Sequence, residues 1–284
     1  MYKLAIAIPS YNRASTLDFF FKVHVPRLQK FNIPIYITNN ASTDNTLIIL
    51  EKWQKIYPHI YWQTGQNTVH ADHNVQKALE FAQAEYVWLL GDSYEIPALS
   101  FERVIQQLKA DCSDIFVLNL ADKHKVTDPI EYDNVTDVAN EISYLITCIS
   151  CLIFKKSELD FKLMASYRAT DFGHFGYVMH YISQHHFKLT LLTQATVVTL
   201  KTPKRKKPWL SSYFEIICVK LPKIVFSLPQ AYSDADKHTM IKLFIAKSGL
   251  FYWRRLMHVR ASNNLSAATL KEYQHALQQN TSFE

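Results

Sequence analysis

Glycine is scarce in this chain, five in 284 residues. That excludes a glycine-rich scaffold, and neither G-x-G-x-x-G nor G-x-x-x-x-G-K-[ST] occurs, so the two commonest backbone cradles for phosphate are missing. A nucleotide, if held, is held another way. Cysteine is equally sparse: Cys112, Cys148, Cys151 and Cys218 form no zinc-like pair of pairs. Cys148 and Cys151 do make a C-x-x-C, but it lies in the apolar run ITCISCLIF, which reads as a buried strand and makes both residues small hydrophobes before redox or metal groups. Long apolar runs are also absent, since FEIICVKLPKIVFSL is broken by lysines and prolines. The opening MYKLAIAIPS is too short an apolar stretch for a secretory signal. The expectation is a cytoplasmic protein that does not span a membrane.

What is present is the composition of an ordinary folded protein, 48% hydrophobic and 20% charged. At this length a full core forms without disulfides. Charge is uneven: residues 1–200 hold 17 Lys/Arg against 20 Asp/Glu, net −3, while residues 201–284 hold 14 against 5, net +9. The densest basic run is KTPKRKKPW, with Lys201, Lys204, Arg205, Lys206 and Lys207. It reads as a solvated loop, or as a contact for anionic lipid headgroups, a phosphate-bearing substrate or nucleic acid. The last is disfavoured, because one basic cluster without a recognition motif adjoins a slightly acidic body.

The first hundred residues alternate strand and helix signals. LAIAIPS reads as a strand buried on both faces and ended by Pro9; a polar turn and a helix through LDFFFKVHVPRL follow, with Ser15 or Thr16 as N-cap. PIYITNN, IYWQTG and EYVWLLGDS are further strands, and TLIILEKWQKIYP and HNVQKALEFAQA the helices between them. This cadence predicts a parallel sheet covered on both sides, with right-handed crossovers that put the strand C-termini on one edge. SFERVIQQLKA adds a helix, DIFVLNL and KLTLLTQATVVTL strands, and ATDFGHFGYVMHYISQHH a helix with Asp171 at its start. Beyond Lys201 the pattern is helical, and residues 1–200 and 201–284 are read as an α/β domain and a basic, mainly helical extension.

Open parallel sheets bind ligands beyond the carboxyl ends of their strands. The residues there are Ser10 to Arg13, Asn39 to Asp44 and Asp92 to Glu95, all strongly polar. Any one exit alone is a turn; three on one edge make a site.

LAIAIPSYNRASTL, ITNNASTDNT and AEYVWLLGDSYEIP, in that order over residues 3–100, with a weaker match over 148–200, resemble the family-two glycosyltransferases. The resemblance implies an α/β GT-A fold, Rossmann-like with a mostly parallel central sheet flanked by helices, here with a helical C-terminal extension. It also implies inverting transfer of a hexose or N-acetylhexosamine from a nucleotide diphosphate sugar, UDP-linked in first expectation, to a surface-glycan acceptor such as capsule, lipopolysaccharide or a lipid-linked saccharide. Pro9, Ser10, Tyr11, Asn12 and Arg13 then line the nucleotide pocket, the bare alternative being a polar loop and helix cap. Asn39 stands where the family usually carries an acid; it both donates and accepts, which loosens the expectation for the base. Asp44 reads as a helix cap. Asp72 matches a nucleotide contact, or caps the third helix.

The main departure is at Gly91-Asp92-Ser93-Tyr94-Glu95-Ile96-Pro97, where relatives commonly read G-D-D-D-E-I-P and the last acid of the triplet binds Mn²⁺ or Mg²⁺. Tyr94 takes that position, and a neutral phenol is a poor ligand for such hard cations. Asp92, Ser93 and Tyr94 stay candidates for the donor site, and Asp92 or Glu95 for a shifted metal. The other readings are metal-free transfer, with Lys201 to Lys207 neutralising the diphosphate, and a non-catalytic relative that binds a glycan or a partner enzyme. Asp171 matches the general base, against an N-cap role; His174 either orients it or packs. No zinc site is expected. Cations and aromatics of the tail suit packing on the domain or a peripheral seat on the inner membrane surface.

Overall fold

A computed structural model describes residues 1–110, 112–121, 129–202 and 215–248, with the isolated positions 252, 257 and 260. In chain order its elements are β1 (Leu4–Ser10), α1 (Ala14–Gln29), β2 (Ile35–Asn39), α2 (Thr46–Ile56), β3 (Ile60–Thr64), α3 (Ala71–Phe81), β4 (Tyr86–Leu89), β5 (Tyr94–Glu95) and α4 (Ala98–Ala110). Then come β6 (Ile115–Leu120), β7 (Ile130–Tyr132), α5 (Val135–Asp137), α6 (Ser143–Ile146), β8 (Leu152–Lys155), α7 (Phe161–Ser166), α8 (Gly173–Gln184), β9 (Leu189–Thr199), α9 (Leu221–Phe226) and α10 (Asp234–Ser248).

The strands form one mixed sheet in the order β3-β2-β1-β4-β8-β6-β9-β5, with β7 on β9. β3, β2, β1 and β4 run parallel, β8 is antiparallel to both β4 and β6, and β6 is parallel to β9. The expected α/β GT-A architecture is therefore present: β8 and the short edge strands β5 and β7 are reversed, and β1, β2, β3, β4, β6 and β9 leave their C-termini on a shared edge. β1 and β2 are buried along almost their whole length, as central strands covered on both faces must be.

β1 does not stop at Pro9; it runs on to Ser10 and pairs Pro9 with Thr38. The β1–β4 pairing ends at Ala7↔Leu89, so the missing proline N–H costs no ladder bond on that side. The start of α1 also differs from expectation. Neither Ser15 nor Thr16 caps it: Arg13 is the N-cap position, and Asp44 reaches across to accept the Ala14 N–H at 3.0 Å. Asp44 accepts the Thr46 N–H as well, at 3.0 Å, so one carboxylate opens both α1 and α2.

The C-x-x-C is not in a strand. Cys148 precedes a 3₁₀ turn, Ile149–Cys151, and β8 begins only at Leu152. Of the C-terminal stretch, a wide helical turn over Glu215–Lys220 leads into α9, and α10 follows. Tyr232 donates to the Met179 carbonyl of α8 at 2.7 Å, and Asn140 donates to Asp236 at 3.0 Å, tying this stretch to the body. Phe244 is buried, as packing rather than membrane contact requires. Lys204 to Lys207 and the helix expected over SAATLKEYQHALQQ lie outside the described residues. No helix among the described residues is long and apolar enough to cross a membrane.

Candidate active site

The three strand exits converge. The Asn12 N–H donates to Ser42 Oγ at 2.8 Å, Asn12 Oδ1 accepts from the Thr43 N–H at 2.8 Å, and the Arg13 N–H donates to Thr46 Oγ1 at 3.2 Å. Arg13 then bridges to the third exit. Its Nε and Nη2 lie 3.0 Å from Asp92 Oδ2 and Oδ1, and Nη2 donates to Ser93 Oγ at 2.5 Å. Asp92 and Ser93 are buried, while Tyr11 extends its ring outward at 45% exposure, available for contact. Two of the turning residues, Asn12 (φ 51°) and Ala41 (φ 54°), hold left-handed backbone without being glycine, a conformation that persists only where surrounding bonds enforce it.

At the ends of β2 and β3, against α3, lies a cleft of about 350 Å³ lined by Thr38, Asn39, Asn40, Gln63, Thr64, Gly65, Asn74, Lys77 and Glu80. Asn39 donates to Thr64 Oγ1 at 3.3 Å and accepts the Ser42 N–H at 3.3 Å. Each of its polar atoms still has bonding capacity left. Asn40, which the sequence did not single out, clamps Val69 from both sides, donating to its carbonyl at 2.7 Å and accepting its N–H at 2.9 Å. Ser10 Oγ is buried without a hydrogen-bond partner among the described residues, so the part of Ser10 in use is its carbonyl, which accepts from Asn40 N at 2.8 Å.

Asp72 is not the cap of α3, a position held by His70, and its buried carboxylate reaches the start of α8. Its Oδ2 accepts the N–H groups of Thr170 and Asp171, both at 2.9 Å, and its Oδ1 that of Gly173 at 3.2 Å. One buried carboxylate thus serves the three amides that open α8. The N-cap position of α8 is Phe172 and no side chain of its own caps it, so Asp171 is released from the N-cap role. Asp171 itself sits at φ 64°, outside the helix, with its side chain 24% exposed. His70 Nε2 lies 3.3 Å from Asp171 Oδ1, and Lys220 Nζ 2.5 Å from Oδ2. Of the two readings of His174, orienting Asp171 across one helical turn or packing, the structure has the second: the ring is buried and Nε2 lies 3.0 Å from the Thr147 carbonyl. The helical offset fails because the left-handed backbone puts Asp171 off the helix; burial also holds His174 neutral, below the usual imidazole range. The imidazole on Asp171 is His70, whose signal in the sequence was only its place two residues before Asp72.

The residues where relatives hold a metal do not fit one. Both oxygens of Asp92 are taken by Arg13, Glu95 pairs with Arg27 at 3.0 Å, and Tyr94 contributes a phenol. No group of three or more His, Cys, Asp or Glu among the described residues is arranged to hold a metal ion. Tyr94 instead meets Cys148: hydrogen bonds from Cys151 and then from Tyr94 hold the Cys148 thiol below the usual range against the opposing effect of burial. This places the turn around Thr147 and Cys148 between Tyr94 on one side and His174 on the other.

The family description "Glycosyl transferase family 2" matches residues 5–161, which include the three strand exits, Asp72 and the clefted ends of β2 and β3. The chain belongs to glycosyl transferase family 2. It is also 28% identical over 217 residues to the abequosyltransferase RfbV of Salmonella typhimurium, covering 64% of this chain and 64% of that relative's length. Among solved structures, Staphylococcus aureus TarS residues 1–349 in complex with UDP aligns with a TM-score of 0.61 at 13% identity, covering 97% of this chain and 79% of that one. The mannosyltransferase PcManGT of Pyrobaculum calidifontis, in complex with GDP-Man and Mn²⁺, aligns at 0.58 and 12% identity, covering 97% and 85%. At these identities the structural likeness speaks for the fold. This family 2 domain keeps the GT-A frame.

Proposed function

We propose that this protein is an inverting glycosyltransferase that moves a hexose or N-acetylhexosamine from a nucleotide diphosphate sugar to a hydroxyl of a surface-glycan acceptor. The observation that carries the reading is the convergence of Asn12–Arg13, Ser42–Thr46 and Asp92–Ser93 on one sheet edge, together with a partly exposed carboxylate, Asp171, held off its helix and paired with His70, which follows the Val69 that Asn40 clamps. Support for a nucleotide-sugar donor comes from the family match and from the neighbours crystallised with UDP and GDP-Man; support for a saccharide acceptor comes from the relative named as an abequosyltransferase. A UDP-linked donor, Pro9 to Arg13 and Asn39 around the nucleotide, and a seat near the inner membrane surface belong to the same reading.

Chemically, the acceptor oxygen bonds to the anomeric carbon while the bond from that carbon to the diphosphate oxygen breaks. The electron pair leaves with the nucleoside diphosphate and the hydroxyl proton passes to an Asp171 oxygen. His70 and the Asp72-held backbone fix that carboxylate in place. Asp92 is the anchor of Arg13, and transfer proceeds without a resident divalent ion. A thermal-shift screen of UDP, GDP, CDP and dTDP, each with Mn²⁺ or EDTA, tests donor class and metal need together. Stabilisation by one of them that survives EDTA is expected; no stabilisation by any would remove the enzymatic reading in favour of a glycan- or partner-binding relative. Asp171→Asn should abolish turnover while leaving nucleotide affinity intact, and near-normal turnover would take Asp171 out of the base role.

A further inference from the structure

We infer that Lys220 is the cation that receives the donor diphosphate, exchanging its ion pair with Asp171 for the phosphates and so uncovering the base when donor arrives. The inference rests on the transferase reading and adds a residue to it from outside the matched segment, at the end of the turn Glu215–Lys220. Lys220 Nζ lies 2.5 Å from Asp171 Oδ2 and 3.0 Å from Glu215 Oε1, and the pair with Asp171 raises the ammonium above the usual lysine range, so it is charged at neutral pH. All three side chains are partly exposed, at 31%, 24% and 42%. A solvent-accessible Lys–carboxylate pair is worth about 0–1 kcal/mol, so a ligand bearing two or more negative charges displaces the carboxylate readily.

The described arginines at this face are committed. Arg13 is fixed on buried Asp92 and Ser93, Arg27 on Glu95 and the Ile96 carbonyl, and Arg168 donates to Gln76 Oε1 at 2.9 Å. Asp171 cannot follow a departing partner, because its backbone is bound to Asp72 and strained at φ 64°. Lys220, on a four-carbon stem, can move. The Asp171 pair also adjoins the side where a diphosphate would need charge: Asp72 holds the segment preceding His174, His174 meets Thr147, and the next residue, Cys148, meets Tyr94. While Lys220 covers Asp171 Oδ2, that lone pair is unavailable to an acceptor proton.

The test is calorimetric binding of UDP, CDP, GDP and dTDP, and of the matching nucleosides, to wild type, Lys220→Ala, Lys220→Arg and Asp171→Asn in EDTA, with a melt of each variant as a folding control. Lys220→Ala should weaken the preferred diphosphate about tenfold or more, the scale of a charged hydrogen bond, and leave its nucleoside unchanged; Lys220→Arg should restore most of the loss. Asp171→Asn, which releases Lys220, should bind the diphosphate at least as well as wild type. Equal diphosphate affinity in wild type and a folded Lys220→Ala overturns the inference. If wild type itself binds no nucleoside diphosphate, the transferase reading fails first, and the two failures are told apart.

Discussion

Asp72 Oδ2 accepts the backbone N–H of Asp171 at 2.9 Å, across 99 residues of chain. The first turn of α3 thereby sets the position of the residue proposed as the base. Since α3 is packed against β1 and β2, whose ends carry two of the polar exits, those exits and Asp171 share one link. The same link explains why Asp171 tolerates a left-handed backbone: the amide that such a turn exposes has a charged acceptor waiting for it.

Asp72→Ala removes that acceptor from three amides at once. Hydrogen bonds to a charged group are each worth about 1.5–3 kcal/mol, and part of the loss is recovered by water or rearrangement, so a destabilisation of about 3 kcal/mol is expected. Turnover should fall by more than an order of magnitude as Asp171 loses its placement. Urea melts of Asp72→Ala and Asp171→Asn separate the roles: the first should lower the midpoint, the second should not. Equal midpoints for Asp72→Ala and wild type would remove Asp72 from the link.

Gly173 makes the approach of Asp72 feasible. A Cβ at this position would lie 2.9 Å from Asp72 Cγ and 2.9 Å from the Tyr167 carbonyl oxygen, closer than such atoms come. Gly173→Ala must therefore push the carboxylate away from the amides it holds. The expected result is a loss of about 1–3 kcal/mol, as for overpacking elsewhere, and reduced turnover with little change in nucleotide binding. Unchanged activity in Gly173→Ala would mean that the loop has another way to hold its shape.

How much of this the sequence shows depends on range. Burial of LAIAIPS and PIYITNN and the polar exits after them are local patterns, and they place the sheet edge correctly. Asp44 was legible as a cap for α2 because its partner is two residues away, whereas its hold on Ala14 spans 30 residues and left no trace. Within ITCISCLIF the C-x-x-C reads as strand, and within the longer EISYLITCISCLIFKKS as a helix or loop leading into a strand; the second is what forms, and a short apolar stretch alone does not distinguish a buried turn from a buried strand. Helical spacing offers His174 as a neighbour for Asp171 beside its packing role and gives no sign of His70, because the positive φ of Asp171 takes it off the helix and the His70 contact spans about a hundred residues. Lys220 was one cation among fourteen in a basic tail until the fold brought it to Asp171.

Arg13 and Asp92 form a partly buried pair, with side-chain exposures of 26% and 6%. Breaking such a pair leaves a desolvated charge and typically costs 3–5 kcal/mol; with one side still wet, about 3 kcal/mol is expected for Arg13→Ala. Arg13→Lys keeps the charge but loses the fork that spans Asp92 and Ser93, so it should recover only part of the stability. The Arg13→Ala/Asp92→Asn double variant should be less unstable than the sum of the singles. Strict additivity in that cycle would show that the pair contributes nothing beyond its separate groups.

His24 gives the fold a pH dependence of defined sign. Its Nε2 accepts the Ile96 N–H at 3.1 Å, which leaves Nδ1 to carry the proton toward the Phe20 carbonyl at 2.9 Å, and the ring stacks on Phe20. Burial is the main cause that holds this imidazole neutral, lowering it from 6.5 to about 4. Below pH 6.5 the unfolded chain takes up a proton that the folded one refuses, so stability is full above that value and declines as pH falls toward 4. At about 1.4 kcal/mol for each pH unit, the loss across this window is about 3 kcal/mol. Asp18, where hydrogen bonds from Lys22, Lys52 and Trp53 outweigh the upward effect of burial, is also depressed, but its contribution is lost only below the carboxylate value of 3.8. Urea unfolding at pH 7.5, 6 and 5 should therefore show the decline in wild type and a flatter line in His24→Gln, which cannot titrate. Because His24 holds the Ile96 amide, two residues past Tyr94, acid should loosen the 92–96 segment first; parallel slopes in the two proteins would assign the pH dependence to other groups.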